Sequence, residues 1–210
     1  VIFAWYHPED VEPMWDLPTV PEFEDPESHV DVHYHSWDIG TCIQEIAENS
    51  VDTPHLKFLH GAPIIPPVEF EANGPISKYS IMDGYIWGIG HGPGISETRH
   101  NKGDVAMLMF ALSTPVHEEL TRTRMAFTWK KYPEGSEEAK TAEHLYHHSI
   151  GEAEGEDSAG FESVDLIVWD NKKYRPNPLL CDGDGPILKF REYFKQFYVE
   201  KNEAQKAAAE

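Results

Sequence analysis

A period-two alternation of apolar and polar side chains through residues 68–130 limits the fold more than any other feature of the chain. Asn73-Gly74 and Asp83-Gly84 interrupt this alternation, and both pairs favour the tight turns of antiparallel hairpins. The predicted strands are 68–71, 77–82, 85–90, 105–113 and 119–130. An antiparallel sheet is therefore the central element that the sequence predicts.

Helical patterns precede and follow these strands. The predicted helices are 41–49, a short helix that begins at Pro54, 136–150, 161–174 and a last helix from Pro186 to the C terminus. In the last helix, apolar side chains recur at helical spacing and predict a buried stripe of Ile187, Phe190, Phe194 and Phe197. Pro186 suits a first helical turn because proline has no amide hydrogen to donate. Helices segregated from antiparallel strands predict the α+β class.

Composition excludes several classes of protein. The 210 residues carry a net charge of −20, whereas nucleic acids and anionic membranes bind basic surfaces. The longest apolar run, 105–112, is far too short to span a bilayer, and the sequence shows no secretory signal. Cys42 and Cys181 form no metal or redox motif and fit a reducing compartment. We therefore expect a cytoplasmic protein whose length suits a domain with a substantial core.

Residues 48–60 concentrate groups that can bind metals or protons. Four of them stand at spacings of three, three and five: Asn49, Asp52, His55 and His60. Residues three apart share a helical face, but a step of five turns through roughly 140°. Both imidazoles therefore meet only if the helix breaks, bends or bulges. Pro54, with Thr53 or Asp52 as the N-cap, predicts a break followed by a short helix that carries both histidines.

Two imidazoles and a carboxylate from elsewhere in the chain would form a facial triad, which leaves ligand positions open in non-haem Fe(II) oxygenases. Two unrelated surface histidines are the alternative, because the chain has 12 histidines and pairs at this spacing arise by chance. The remaining histidine clusters are interpreted as solvent-facing. They are His29, His33 and His35 on the face of a strand opposite Val30, Val32 and Tyr34, and His144, His147 and His148 on the helix 136–150.

Three carboxylates near the C terminus are candidates for the third ligand. Asp182 and Asp184 lie in a glycine-rich turn before a helix and are explained as capping residues. Asp165 lies among Val164 and the apolar residues 166–168, where a carboxylate is costly unless it is paired or metal-bound. The sequence therefore favours Asp165, with an acid on a helix surface as the alternative.

The pattern Asn-x2-Asp-x2-His-x4-His, at 49, 52, 55 and 60, resembles the mononuclear-iron motif of Rieske-type non-haem iron oxygenases. It is most similar to the branch that contains the oxygenase component of 3-ketosteroid 9α-hydroxylase and the cholesterol 7-desaturases. Five C-terminal segments are similar to the end of that branch: 164–172, 177–180, 182–187, 191–194 and 196–198. The resemblance covers nearly the whole chain and is strongest at its two ends.

This resemblance implies a helix-grip fold of the Bet v 1-like or START-like form, in which a curved antiparallel sheet wraps around the long C-terminal helix and leaves an apolar cavity. It also implies Fe(II) held by His55, His60 and Asp165, with Asn49 and Asp52 as further site residues. Asp52 would orient an imidazole and bridge to the Rieske cluster of a neighbouring subunit in a homotrimer. The implied reaction is hydroxylation or desaturation of a steroid-like or sterol-like hydrophobic substrate with O2, using electrons from a reductase or ferredoxin.

Residues 1–27 are predicted to be the end of an absent Rieske domain plus a linker, and residues 28–210 the catalytic domain. The chain begins at Val1 in an apolar segment that resembles a strand already under way, and residues 8–27 are rich in proline and acids, as in a solvated linker. A Rieske [2Fe–2S] cluster needs two Cys and two His, and no Cys-x-His pair occurs here. The cluster is therefore expected in a domain upstream of Val1.

Candidate substrate contacts come from the strands and from one helix. Methionine adapts to irregular apolar cavities, so Met107 and Met125 are predicted to line the pocket with their aromatic neighbours. The aromatic candidates are Phe127, Trp87 and Phe161. Ordinary core packing is the alternative for each of these residues.

Other functions fit parts of the pattern. A non-catalytic lipid or sterol carrier would need the helix-grip cavity but no iron. A zinc hydrolase would use the same two imidazoles and a carboxylate, but no Glu adjoins either histidine in the usual metalloprotease pattern. The glycine-rich run 88–94 does not predict a dinucleotide site, because Pro93 lies inside it and no βαβ unit surrounds it. A flexible loop beside a pocket is expected there instead.

Overall fold

The computed structural model describes residues 2–151 and 164–199. One antiparallel sheet has the strand order β1-β7-β6-β5-β4-β3-β2. Its strands are β1 (His33–Ile39), β2 (Val68–Asn73), β3 (Ile76–Ile81), β4 (Ile86–His91), β5 (Ile95–Lys102), β6 (Val105–His117) and β7 (Leu120–Trp129). Strands β2 to β7 form a continuous meander, and β1 joins its far edge beside β7.

Six helices accompany the sheet in the described part of the chain. They are α1 (Pro21–Glu24), α2 (Ile43–Glu48), α3 (Pro54–Phe58), α4 (Glu137–Ile150), α5 (Leu166–Asn171) and α6 (Ile187–Phe194), which continues as a 3-10 turn over Lys195–Phe197. No helix among the described residues is both long enough and apolar enough to cross a bilayer.

The inner face of the sheet carries α4 at one end and α6 at the other. Met107, Met125, Phe127 and Trp129 pack against α4, where Leu145, Tyr146 and Ile150 are buried. Phe70 packs against the predicted stripe of α6, and Ile187, Phe190 and Phe194 are all buried. An antiparallel sheet with a C-terminal helix against its inner face is the α+β, helix-grip arrangement that the sequence predicts.

Between the two helices, the inner face is packed less completely. Ile86 on β4, His100 on β5, and Met109 and Ala111 on β6 all point to this face and are only partly buried. Residues with buried side chains flank them on the same face, including Ile81 and Met107. The centre of the inner face is therefore the part of the sheet with room for a ligand.

The outer face carries a second core and a charged network. Leu108, Phe110 and Ala126 pack there with Val20, which precedes α1. Arg99 pairs with Glu22 of α1 at 2.8 Å and with Glu97 at 3.1 Å. These contacts bind residues 20–24 to the sheet, so this stretch is packed more closely than the solvated linker predicted for residues 8–27.

Four further points differ from the sequence predictions. The strand expected near residue 30 begins only at His33, and its histidine face does not simply face solvent, because His35 is half-buried although His33 is exposed. Instead, the imidazole of His33 stacks on Trp129 with ring centroids 5.3 Å apart, His35 Nε2 lies 2.8 Å from Tyr146 Oη, and Tyr34 is 68% exposed. Aromatic partners on β7 and α4 make the imidazole face the better packing surface.

The other three differences concern a loop, a strand and a helix. Residues 88–91 are the end of β4 and not a flexible loop, because a hairpin turn at 92–94 joins β4 to β5. Strand β5 was not predicted, since its sequence, ISETRHNK, has no apolar alternation. The helix predicted over 161–174 is α5 alone within the described residues, and residues 161–163 lie outside them.

Candidate metal centre

The turn between α2 and α3 brings both histidines of the motif to one place. Pro54 occupies the first turn of α3 and Thr53 is the N-cap residue, but no side chain caps this helix. Helix α3 ends at Phe58, so His60 lies just beyond it and the chain is free to turn back toward His55. The two imidazole centroids are 5.3 Å apart, and the ring planes are inclined at 75°.

Asp165 reaches the two histidines from more than a hundred residues away in the sequence. It immediately precedes α5, in a π-helical turn, and only 5% of its surface is exposed. Its Oδ2 lies 3.2 Å from His60 Nε2. One ligand atom each from His55, His60 and Asp165 lies within 4.8 Å of the other two.

Hydrogen bonding fixes which imidazole nitrogen of His55 is available. Its Nδ1–H donates to the backbone carbonyl of Asp52, which can only accept. The lone pair is therefore on Nε2, and the Asn49 side-chain amide lies 3.4 Å from that atom. Burial lowers the pKa of His55, although the nearby Asp165 carboxylate opposes the effect. A neutral imidazole with a free Nε2 is the form that binds metals.

Asp52 contacts the site through its backbone. Its carbonyl holds His55, and its amide donates to the Glu48 carbonyl at 3.2 Å. Burial raises the pKa of the Asp52 side chain, while His55 and Lys172 oppose the rise. The carboxylate is thus near the cluster but is not one of the three convergent ligand groups.

The donor set suits a divalent transition metal. Two imidazole nitrogens and one carboxylate oxygen, all supplied within one small volume, match the facial arrangement of non-haem Fe(II) and also the ligands that Zn²⁺ accepts. Asp182 and Asp184 do not join this cluster among the described residues. Asp184 Oδ2 instead accepts the Cys181 amide at 2.6 Å, and α6 begins at Pro186 without a side-chain cap, so the predicted helix-capping role is wrong.

The candidate substrate residues are divided between two faces of the sheet. Met107 and Phe127 are fully buried and Met125 is nearly so, all on the inner face beneath α4. Trp87 pairs with Arg99 across β4 and β5 on the outer face, where the guanidinium lies 4.8 Å from the indole centroid. Trp87 therefore does not share a cavity with the other three. Phe161 lies outside the described residues.

His100 is a residue near the candidate site that sequence reasoning missed. It lies on the inner face of β5, and burial lowers its pKa to about 4, with smaller contributions from His148 and His60. His148 was predicted to be at the surface but is half-buried, unlike its exposed neighbours His144 and His147. The position of His100 could be inferred from the sequence only if β5 and its register had been predicted.

The described residues thus form an α+β helix-grip domain in which two histidines and an aspartate converge as a candidate mononuclear metal site. Within this class of domain, the sequence model described as the 3-ketosteroid 9alpha-hydroxylase C-terminal domain matches residues 4–198. The chain belongs to this family.

Sequence relatives agree with that assignment. Cholesterol 7-desaturase of Caenorhabditis elegans is 27% identical over 96% of this chain and 53% of its own length. A Rhodococcus rhodochrous 3-ketosteroid-9-alpha-monooxygenase oxygenase component is 25% identical over 95% and 55%. The chain thus spans about half the length of these relatives.

The fold is shared with solved structures at low sequence identity. NdmA of Pseudomonas putida CBB5 is 14% identical and superposes with a TM-score of 0.61 over 92% of this chain and 55% of that one. Dicamba monooxygenase bound to dicamba is 10% identical, with a TM-score of 0.56 over 97% and 66%. Both similarities concern the fold alone.

Proposed function

We propose that this chain is the catalytic part of a Rieske-type non-haem iron oxygenase, with His55, His60 and Asp165 as the ligands of one Fe(II). The observation that carries the proposal is the convergence of these three side chains to within 4.8 Å in a member of the 3-ketosteroid 9α-hydroxylase C-terminal domain family. A triad of two imidazoles and one carboxylate would leave further positions on the ion open for exogenous ligands.

When bound, the iron would supply the activation of O2 that attack on an unactivated C–H bond requires. The chain supplies positioning and exclusion of water. The Asp52 carbonyl keeps His55 in the tautomer whose Nε2 is free, and burial of Asp165 strengthens its interaction with a cation.

The proposed substrate is a steroid-like or sterol-like molecule, since the relatives are named for ketosteroids and cholesterol. We place it at the centre of the inner face, where Ile86, Met109 and Ala111 are incompletely covered between α4 and α6. The apolar side chains lie beside the polar residues His100, Thr98 and Ser96 of β5, and a mostly apolar site with a few polar groups suits a rigid hydrocarbon with few oxygens. Both hydroxylation and desaturation remain compatible with this arrangement.

We propose that a reductase or ferredoxin donates electrons to a Rieske [2Fe–2S] cluster outside residues 1–210. From that cluster the electrons would pass to the iron. In this proposal residues 1–27 are the end of the Rieske domain and the linker, residues 28–210 are the catalytic domain, and a homotrimer places a neighbour's cluster near Asp52. The predicted cytoplasmic location remains a prediction, and it accords with the free thiols of Cys42 and Cys181.

Two substitutions test the division of roles at the site. Asp52→Ala keeps the backbone carbonyl that holds His55, so we expect iron content close to that of the native protein but loss of substrate-coupled turnover. His55→Ala removes a ligand, and we expect most of the iron to be lost. Iron per protein and product per O2 consumed are the measurements, and equal loss of iron in the two variants would refute the assignment.

A non-catalytic sterol carrier is the alternative that the same fold permits. Metal analysis of the purified intact protein separates the two, because a carrier binds sterol without stoichiometric iron. Reconstitution of metal-free protein with Fe(II) or Zn(II) then separates an oxygenase from a hydrolase. Oxidation restored by Fe(II) alone supports our proposal, and hydrolysis restored by Zn(II) contradicts it.

A further inference from the structure

Two buried glutamates on α2 connect the segments that carry the three metal-binding side chains. Glu48 is the last residue of α2 and Glu45 lies one turn earlier. Their side chains are 6% and 1% exposed, yet both are carboxylates. Buried charges are retained only where they are paired, so the partners of these two residues indicate what the pairs hold together.

Glu48 is paired with Arg191 of α6. The guanidinium donates from Nε to Oε2 at 2.6 Å and from Nη2 to Oε1 at 2.9 Å, which is a bidentate contact. Arg191 itself is fixed by a bond from Nη1 to the Arg175 carbonyl at 2.5 Å and by the Tyr174 ring, 5.2 Å away. The end of α2 is therefore held in one position against α6.

Glu45 connects α2 to the segment that begins at Asp165. Its Oε2 lies 2.5 Å from Lys172 Nζ, and its Oε1 lies 3.7 Å from Arg191 Nη2. Lys172 is the C-cap residue of α5, and Asp165 is the N-cap residue of the same helix. The pair between Glu45 and Lys172 thus sets the distance between α2 and the helix that presents Asp165.

Hydrogen bonds continue from this network to an imidazole of the metal cluster. The Glu48 carbonyl accepts the Asp52 amide at 3.2 Å, and the Asp52 carbonyl accepts Nδ1–H of His55. One sequence of contacts therefore runs from Arg191 through Glu48 and Asp52 to His55, while Lys172 and Glu45 connect to the helix of Asp165.

From this geometry we infer that Glu45, Glu48, Lys172 and Arg191 are positioning residues that hold His55 and Asp165 at metal-binding separation. The inference rests on the proposed function, because it assumes that these side chains bind a metal. The network acts through the placement of α2, α5 and the turn before α3.

The test measures Co(II) binding to the metal-free intact protein, with the native protein, Glu48→Gln and Lys172→Met compared. Co(II) absorption in the visible reports coordination geometry without any turnover. We expect each variant to raise the dissociation constant for Co(II) by about tenfold or more. Removal of groups that orient metal ligands has an effect of this size. We also expect the absorption spectrum to change, because the remaining ligands no longer converge.

Two control variants separate positioning from general stability. Asp38→Asn breaks an exposed bidentate pair with Arg122, 2.6 Å and 2.7 Å long, and should leave Co(II) binding unchanged. Phe190→Leu weakens the buried core of α6 without altering the charged network, and should lower stability while the Co(II) spectrum stays native.

Each outcome decides one question. If the native protein does not bind Co(II), the proposed metal site itself fails. If it binds and Glu48→Gln and Lys172→Met bind equally well with the native spectrum, the positioning role is wrong. Weakened binding that Phe190→Leu reproduces at equal loss of stability would also overturn the role. If Glu48→Gln does not fold, Lys172→Met tests the other half of the network, since Lys172 is 30% exposed and easier to replace.

Discussion

His100 is an imidazole held neutral inside the protein, and this has a measurable consequence for stability. Burial lowers its pKa from 6.5 to about 4. Above the unfolded value the group is neutral in both states and has no effect. As the pH falls below that value, the unfolded chain takes up a proton that the folded chain refuses until about pH 4, so stability is lost over this range. The loss approaches about 3 kcal/mol for a shift of this size.

Replacing His100 with Gln should remove this part of the acid sensitivity. The test is urea unfolding at a series of pH values between 6.5 and about 4, the unfolded and folded pKa values of His100. As the pH is lowered, the free energy of unfolding should fall less steeply in the variant than in the native protein. His148 and His60 are the neighbouring imidazoles that add to the lowering of the His100 pKa, and exposed His144 provides the control. An identical slope in His100→Gln and His144→Gln would contradict the assignment.

At the level of single residues, local spacing and local polarity in the sequence were enough to select the three candidate ligands. His55 and His60 were selected by a motif within six residues, and Asp165 because a carboxylate stood in an apolar segment. Trp87 was grouped with Met107, although the sheet places them on opposite faces, since a face is assigned only once strand register is known.

Gly185 shows how closely one element approaches another near the site. It precedes α6 with φ at +70°, and a Cβ there would lie 2.6 Å from the carbonyl oxygen of Val51. Val51 belongs to the turn between α2 and α3, so the start of α6 rests directly on the segment that leads to His55. Both the backbone conformation and the space therefore require glycine.

Gly185→Ala should be destabilising by about 2 kcal/mol or more, because strain and a clash with backbone act together. Gly103→Ala is the matched control, with φ at +61° and nothing within 4 Å of the added methyl group. It should cost only the backbone strain, about 1 kcal/mol. Chemical unfolding of both variants measures the difference, and equal losses would show that the contact with Val51 is unimportant.

At the level of elements, alternation predicted β2, β3, β4, β6 and β7 but not β5. Strand β5 buries Glu97 and Thr98, and both polar side chains are satisfied by partners on other strands. His91 of β4 lies 2.8 Å from Glu97, and Tyr79 of β3 lies 2.6 Å from Thr98. Polar burial of this kind depends on tertiary partners. The same reason explains why α1 was interpreted as linker, because Glu22 pairs with Arg99 and Val20 packs on the sheet, and both partners are distant in sequence.

On the scale of the whole molecule, the candidate metal centre lies where three segments distant in sequence meet. The turn before α3 supplies two imidazoles, the start of α5 supplies the carboxylate, and α6 holds both through Arg191. None of these segments belongs to the sheet, whose seven strands pair in one continuous antiparallel array. The sheet thus forms a support, while the geometry of the site depends on side-chain contacts between short helices.

Metal binding should therefore stabilise these short helices more than the sheet. A ligand that binds only the folded state adds about 2.7 kcal/mol when its concentration is a hundred times its dissociation constant. We expect hydrogen exchange of the amides in α3 and α5 to slow when Fe(II) is added anaerobically to the metal-free intact protein, and exchange in β6 and β7 to change little. His60→Ala removes one ligand and should abolish the protection. Equal protection in that variant, or protection confined to the sheet, would mean that the metal binds elsewhere.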